Sequence, residues 1–287
     1  MVQADAGDRR IVPGWEAYRQ MGNGMVYSLA GAGTSSGRGR MKKGIGSSAI
    51  RMFGRIIGRA GKKSAEAHLK TARTVPMGTP VGQAFVVESG EAGEPMRHAI
   101  AVIDSLHGDG VIAPLVAKRA MLQGLNGEFR ANEGIFINTH SRIPYYTTLH
   151  EIGHALDFFG FLAGRYESLN GYEITPVVDA YRTSIAYREL QSLRAQLSTP
   201  QVDERREENR QFELGRVNYL LRREEVWSRA YAQWVVTSSQ DVKLLEDLNI
   251  LQREAPYADL FAQWSDEDFV RIASEIERLF ARKGWLR

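Results

Sequence analysis

The spacing of two histidines constrains the local structure at the middle of the chain. His150 and His154 flank Glu151 in the segment HEIGH, inside the apolar run TTLHEIGHALDFFGF (147–161). Residues four apart lie on one face of a helix, so both imidazoles can reach one metal ion. Burying two histidines and a glutamate in an apolar helix is costly unless a metal or other partners compensate. The spacing therefore predicts a helix that carries a metal centre.

The chemistry of such a centre depends on Glu151, which is rotated away from the two histidines and lies beside the open coordination position. Zn²⁺ is the metal that this motif binds in metalloproteases, and it lowers the pKa of a bound water to near 7. Glu151 could then take a proton from that water and pass it to a leaving amine. The alternative is a metal-free pair of helix histidines packed against neighbouring carboxylates.

A zinc ion that keeps one open position needs a third protein ligand. A third histidine on the same helix is excluded, because Asp157 and Gly160 occupy the glycine and histidine positions of the longer H-E-x-x-H-x-x-G-x-x-H pattern. A glutamate remains, either in the following loop-like segment or at the start of the later helix EEVWSRAYAQW. The candidates are Glu167 and Glu173 in the loop and, as the better pair, Glu224 and Glu225 on the helix.

The two segments HEIGHALDFF and EVWSRAYAQWV together resemble the paired motifs of lethal-factor-type zincins. They are also similar to the metallopeptidase-like domains of phage head-morphogenesis and polyvalent proteins, over roughly residues 98–236. The resemblance implies a gluzincin-type site in which Zn²⁺ is bound by His150, His154 and Glu225, with Glu151 as the catalytic base. Arg229 stands where the phage group often has arginine, which favours the phage-type branch.

The same resemblance implies further roles. Asp157 matches an acidic residue that could orient His154, although a buried or capping carboxylate is an equal alternative. Tyr219, six residues before Glu225, could stabilise the oxyanion, or it could be a core tyrosine. In gluzincins a strand along the cleft binds extended substrate, and GIFIN (134–138) could be that strand. Its proposed substrate-binding residues are Gly134, Ile135, Phe136 and Ile137.

We expect an α+β, zincin-like fold, with a small N-terminal sheet and an active-site helix followed by a mainly helical C-terminal half. The metallopeptidase domain is expected to cover residues 76–287. Strand and turn signals predict strands at 82–89 and in a hairpin at 127–138, and Pro114 favours an edge strand or a loop at 111–117. Helices are predicted at 95–108, 147–161, 175–197, 223–236 and after Ser265, with a solvated charged segment at 203–211.

Residues 1–75 form a separate region with a different composition. Ten Lys or Arg residues and no Asp or Glu lie between Ala17 and Ala65, among many Gly and Ser residues. This composition predicts a flexible basic arm, with a short amphipathic helix at IRMFGRIIGRAGKK. The arm is either a solvated linker or a docking segment for nucleic acid, an acidic partner or an anionic membrane surface.

Composition also narrows the function classes. The chain has no cysteine, which excludes disulfides, thiolate metal sites and a cysteine nucleophile. No signal peptide or transmembrane segment is recognised, so we expect an intracellular or virion-associated protein. The predicted function is a zinc-dependent endopeptidase acting on a protein or peptide, and the resemblance favours a phage or toxin association. The alternatives are a catalytically silent zincin-fold module of a phage particle and a nucleic-acid-binding protein that acts through the arm.

Overall fold

The computed structural model describes residues 80–108, 112, 114–131, 133–161, 164–200, 204–254 and 262–287. The predicted basic arm and its amphipathic helix (residues 1–75) lie outside these residues. The described part of the chain has a mixed α/β fold, with one small sheet followed by a mainly helical C-terminal half. Among its helices, none is long and apolar enough to cross a lipid bilayer.

The sheet has four strands in the order β1-β2-β4-β3 within the described residues. They are β1 (Phe85–Val87), β2 (Leu115–Ala120), β3 (Gly127–Arg130) and β4 (Gly134–Asn138). Strand β2 runs parallel to both β1 and β4, whereas β3 pairs antiparallel with β4. The predicted hairpin is therefore confirmed, and β3 is its outer strand.

The prediction that GIFIN binds substrate is wrong. This segment is β4, which lies inside the sheet and is buried along its whole length. Its backbone is paired with β2 on one side and with β3 on the other, so no edge is left for an added peptide strand. Gly134, Ile135, Phe136 and Ile137 are therefore structural residues of the sheet, not substrate-binding residues.

The strand after Pro114 also differs from its prediction. Proline has no N–H group to donate to a sheet hydrogen bond, and this favoured an edge strand or a loop at 111–117. The structure begins β2 at Leu115, directly after the proline, and places β2 between β1 and β4. Upstream, the strand predicted at 82–89 is confined to β1, because Val81–Ala84 forms a 3₁₀ turn.

The described residues contain nine α-helices. They are α1 (Glu94–Leu106), α2 (Pro144–Ala155), α3 (Glu167–Asn170), α4 (Thr175–Arg182), α5 (Ile185–Leu197), α6 (Glu204–Leu220), α7 (Arg223–Ser239), α8 (Val242–Glu254) and α9 (Asp266–Lys283). The cap predicted for the last helix is confirmed, since the Ser265 hydroxyl accepts a hydrogen bond from the Asp268 N–H at 3.3 Å.

Two helical predictions need correction. The single helix predicted at 175–197 is broken at Ser184, whose hydroxyl accepts from the Tyr187 N–H and caps α5. The Asp268 carboxylate of α9 accepts from the N–H groups of Ile185 and Ala186, so a tertiary contact stabilises the break. Within the charged segment predicted at 203–211, the described residues 204–211 form the first half of α6.

Helix α2 lies at the centre of the fold. It packs against β3 and β4 on one side and against α7 on the other, and α1 and α8 also contact it. Its first turn has no capping side chain of its own. Instead, the Asp247 carboxylate of α8 accepts a hydrogen bond from the Tyr146 N–H at 2.9 Å. Helix α2 is thus held at its start by another helix and along its length by the sheet and α7.

His107 follows α1 and is fully buried against the ring of Phe280. Its Nδ1 donates to the Gly108 carbonyl, so its Nε2 accepts from the Tyr231 hydroxyl at 2.9 Å. Burial, with a smaller contribution from the charge of Arg287, lowers the pKa of His107 to about 4. The imidazole is therefore neutral in the native state at neutral pH.

This buried histidine should make the protein acid-sensitive. The unfolded chain binds a proton at His107 below about pH 6.5, whereas the folded chain does so only near pH 4. The free energy of unfolding therefore decreases as the pH is lowered from about 6.5 to about 4. The shift corresponds to about 3 kcal/mol when the whole window is crossed. Urea unfolding at pH 7 and pH 4 should show His107→Gln less stable than wild type at pH 7, with most of the difference lost at pH 4. A difference that stays constant with pH would contradict this assignment.

Candidate metal centre

Helix α2 carries His150, Glu151 and His154 in the interior of the protein. The two imidazoles lie on one face of the helix, with ring centroids 4.8 Å apart. Glu151 and His154 are buried, and the side chain of His150 is 15% exposed. The predicted helix is confirmed, but it starts earlier, at Pro144, and its last part (Leu156–Gly160) is a π-helical turn. Such turns occur frequently at functional sites.

Helix α7 brings Glu225 to the two histidines because α2 and α7 cross very closely. A Cβ atom on Gly153 would lie 2.9 Å from the Cα of Ser228, so only glycine fits at the crossing. The Trp227 indole donates to the Gly153 carbonyl at 2.9 Å and fixes the register of the two helices. Glu225 lies at the start of α7, just before this crossing, and its side chain therefore projects toward the histidine face of α2.

The three side chains form one cluster. Glu225 Oε2 lies 3.4 Å from His150 Nε2, and Glu225 Oε1 lies 3.5 Å from His154 Nε2. One ligand atom from each residue lies within 4.8 Å of the others, and within the described chain this is the only such group of three or more.

The separations within the cluster suit a shared metal ion. Charge-assisted N–H···O hydrogen bonds are about 2.7–2.9 Å long, which is shorter than these contacts. Two ligands that each lie about 2.1 Å from a tetrahedral metal ion are about 3.4 Å apart, which is close to both contacts, although these end on different oxygens of Glu225. Glu225 Oε2 is also buried without a hydrogen-bond partner among the described residues. The three side chains therefore form a candidate ligand set for one metal ion.

The electrostatics of the cluster are those of a strongly coupled group. Burial raises the pKa of Glu225, but the charge of His154 and the close approach of both imidazoles outweigh it and hold that pKa well below its usual range. Burial lowers the pKa of His150, and the neighbouring charge of His154 lowers it further. Burial raises the pKa of Glu151 to about 8. Glu225 is thus an ionised carboxylate within the cluster, and Glu151 next to it is the more basic of the two carboxyl groups.

The other three candidate third ligands lie elsewhere. Glu167 accepts a hydrogen bond from the Glu173 N–H at 3.0 Å and stabilises its own loop. Glu173 pairs with Lys283 at 2.5 Å on the surface of α9. Glu224 is adjacent to Glu225 on α7, yet it is not part of the cluster. Of the four glutamates, only Glu225 is brought to both histidines.

Glu151 lies beneath the outer strand of the sheet. A Cβ atom on Gly127 of β3 would lie 2.7 Å from Glu151 Oε1, so a larger residue there would displace the carboxylate. The Phe129 N–H also hydrogen-bonds to Glu151. Because β3 is an edge strand, its free side and the Glu151 carboxylate are next to each other. The centre is therefore bordered by the outer strand of the sheet.

Two tyrosines approach the centre, and sequence analysis identified one of them. Tyr219 lies near the end of α6, and burial together with the nearby Glu225 carboxylate raises the pKa of its phenol well above the usual value. Tyr166, which sequence analysis did not identify, packs edge-on against His154, with ring centroids 6.3 Å apart. It precedes α3 in a loop, and no periodicity or motif in the sequence links it to the histidines.

Asp157 does not orient His154 through a hydrogen bond. Both of its oxygens accept from Ser168, one from the N–H at 2.7 Å and the other from the hydroxyl at 2.5 Å. His154 Nδ1 is buried without a hydrogen-bond partner among the described residues. The π-helical turn carries Asp157 toward the loop that precedes α4, so this carboxylate anchors α3 instead of the imidazole. Asp157 is therefore a buried structural carboxylate, which is the second of the two alternatives.

Comparisons with known proteins add no further assignment. No protein-family model matches the chain, and no characterised protein or solved structure matches it.

Proposed function

We propose that this protein is a zinc-dependent endopeptidase that hydrolyses peptide bonds. The observation that carries the proposal is the cluster of His150, His154 and Glu225, with Glu151 next to it and an edge strand above it. Two imidazoles and one carboxylate are the ligand set of catalytic zinc sites that keep a fourth position for water or substrate. The resemblance of the two motif segments to lethal-factor-type and phage metallopeptidase domains agrees with this assignment.

Zinc fits this donor set because both histidine Nε2 atoms face the carboxylate, and one carboxylate oxygen is buried without a partner. When bound, zinc would polarise the scissile carbonyl and make a water molecule more acidic. His150, His154 and Glu225 would hold the ion.

The remaining steps belong to side chains of this chain. Glu151 takes a proton from the attacking water, whose oxygen forms the new bond to the carbonyl carbon. As the C–N bond breaks, Glu151 returns the proton to the leaving amine nitrogen. Tyr219, beside Glu225, is a donor that can stabilise the negative charge that develops on the carbonyl oxygen. Together these steps consume one water and release a carboxylate and an amine.

The strand that would bind the substrate is β3. It is the outer strand of the sheet, it lies directly over Glu151, and an extended peptide could pair with its free edge. Backbone pairing of this kind gives affinity with little dependence on side chains, which suits a protein or peptide substrate. The role first expected of GIFIN is therefore assigned to Gly127–Arg130.

The test is cleavage of an unfolded protein substrate by the purified full chain, with and without a zinc chelator. We expect new N-termini in the zinc-loaded sample, and loss of cleavage on chelation that is reversed by added Zn²⁺. A chain that binds zinc but cleaves none of a broad set of unfolded proteins and peptides would favour the silent zincin-fold module. A chain whose cleavage resists chelation would contradict the proposal.

A further inference from the structure

Arg229 is a buried charge that the proposed reaction does not use. It lies one turn after Glu225 on α7, and only 4% of its surface is exposed. Its guanidinium packs against the ring of Trp264, 5.2 Å from the centroid. Among the described residues, no carboxylate lies within ion-pair distance of it, so its charge is stabilised by neutral groups.

Those neutral groups are backbone carbonyls from three separate segments. Nε donates to the Glu225 carbonyl at 3.3 Å, and Nη2 donates to the Leu220 carbonyl at 2.5 Å. Nη1 donates to the carbonyl of Ala262, in the segment that precedes α9. A planar guanidinium with donors in fixed directions can join three segments in this way, whereas a lysine ammonium is a compact charge on a flexible stem.

Stability alone does not explain this arrangement. Desolvating a charge is costly, and well-packed hydrophobic replacements of buried charged groups are often neutral or stabilising. What the guanidinium fixes is geometry. Leu220 ends α6 directly after Tyr219, and Glu225 is in the first turn of α7. One side chain therefore ties together the two backbone positions that present the carboxylate and the phenol to the two histidines.

We propose that Arg229 is a positioning residue of the metal centre, which sets the Glu225 carboxylate and Tyr219 relative to His150 and His154. The inference rests on the proposed function, because it takes Glu225 to be a metal ligand. Arg229 itself touches neither the metal position nor the substrate. Its effect is carried by the backbone of α7 and of the turn between α6 and α7.

The test compares Arg229→Met and Arg229→Lys with the wild-type chain. The first readout is the Zn²⁺ dissociation constant, from competition with a chromogenic chelator. The second is the visible spectrum of the Co²⁺-substituted protein, which reports the geometry of the ligands. Partners outside the ligand shell typically change metal affinity by about 10–100-fold, so we expect Arg229→Met to bind Zn²⁺ at least about tenfold more weakly, with an altered Co²⁺ spectrum. Arg229→Lys keeps the charge but not the fork of donors, and should also bind more weakly.

Arg210→Met is the control. Arg210 is also buried and also donates to the last carbonyl of a helix, that of Leu197, but it lies on α6 outside the cluster and, unlike Arg229, pairs with a carboxylate, that of Glu207. This variant is expected to lose stability and to keep the wild-type Zn²⁺ affinity and Co²⁺ spectrum. The comparison separates loss of a buried arginine from loss of the position that Arg229 controls.

The outcomes distinguish this inference from the proposed function. A folded Arg229→Met chain with wild-type affinity and spectrum would overturn the role of Arg229 and leave the zinc site intact. If Arg229→Met does not fold, Arg229→Lys decides by the same two readouts, and wild-type values there would overturn it. A wild-type chain that binds no zinc would overturn the proposed function itself, and this inference with it.

Discussion

Glu151→Gln is expected to abolish most peptide cleavage while leaving bound zinc unchanged. Glutamine keeps the shape of the side chain but cannot accept a proton from water, and a positioned general base contributes about 100-fold to 10,000-fold to a rate. Glu151 is not one of the three clustered ligands, so its replacement removes the proton acceptor and not the metal. The loss should appear in kcat, measured with a fluorogenic peptide, and zinc per chain should stay at the wild-type value.

Glu133→Gln is the control for this experiment. Glu133 lies in the turn between β3 and β4, outside the proposed substrate-binding strand, and pairs with Arg130 at 3.0 Å. Its replacement removes a negative charge from the same hairpin without removing the base, so cleavage should stay close to wild type. If Glu151→Gln cleaves at the wild-type rate, the proposed role of Glu151 is wrong. If both variants lose activity equally, charge near the cleft and not a specific base would explain the effect.

Glu225→Ala is expected to lose zinc. Within the part of the chain that the structure describes, it removes the only carboxylate that contacts both imidazoles, at 3.4 and 3.5 Å. Changes outside a ligand shell already cost about 10–100-fold in metal affinity, so loss of a ligand should cost at least about 100-fold. Chelator competition gives the dissociation constant, and peptide cleavage should be lost with the zinc.

Glu224→Ala is a closely matched control, because it removes the same group one residue earlier on the same helix. Glu224 is not in the cluster, so this variant should bind zinc as the wild type does. Equal losses in the two variants would mean that the first turn of α7, and not a particular carboxylate, determines binding. A Glu225→Ala chain with wild-type affinity would remove Glu225 from the ligand set.

The proximity of the two histidines and Glu225 is predictable from the sequence because its determinants are local or motif-like. Four-residue spacing identifies the histidine face of α2, and the apolar pattern of EVWSRAYAQWV identifies α7 as a helix that must pack in the core. The contact between Glu225 and the histidines depends additionally on the close crossing at Gly153 and Ser228. A glycine in a helix indicates such a crossing only weakly, so the choice between Glu224 and Glu225 required three-dimensional structure.

The predictions that were wrong concern contacts between elements that are distant in the sequence. Alternation and turns identify β4 as a strand, but they do not show that β2 pairs with its second side. Likewise, the position of Asp157 after His154 places it near the imidazole, yet Ser168, eleven residues later, binds both of its oxygens. The break at Ser184 depends on Asp268, which is more than 80 residues away in the chain.

The proposed architecture gives one strand and three helices defined tasks. Strand β3 borders the cleft, α2 supplies two ligands and the base, α7 supplies the third ligand, and α6 ends at Tyr219 and Leu220. The tasks are separable, because metal binding depends on α2 and α7, whereas proton transfer depends on Glu151. Variants of the ligands and of the base should therefore give different combinations of zinc content and activity.

The most direct test of the zinc site is the zinc content of the purified wild-type protein, measured by elemental analysis after gel filtration. The proposed site predicts about one zinc per chain, because one cluster of two histidines and a glutamate is present in the described residues. No bound zinc, even after reconstitution with excess Zn²⁺, would contradict it and leave HEIGH as a pair of helix histidines packed against carboxylates.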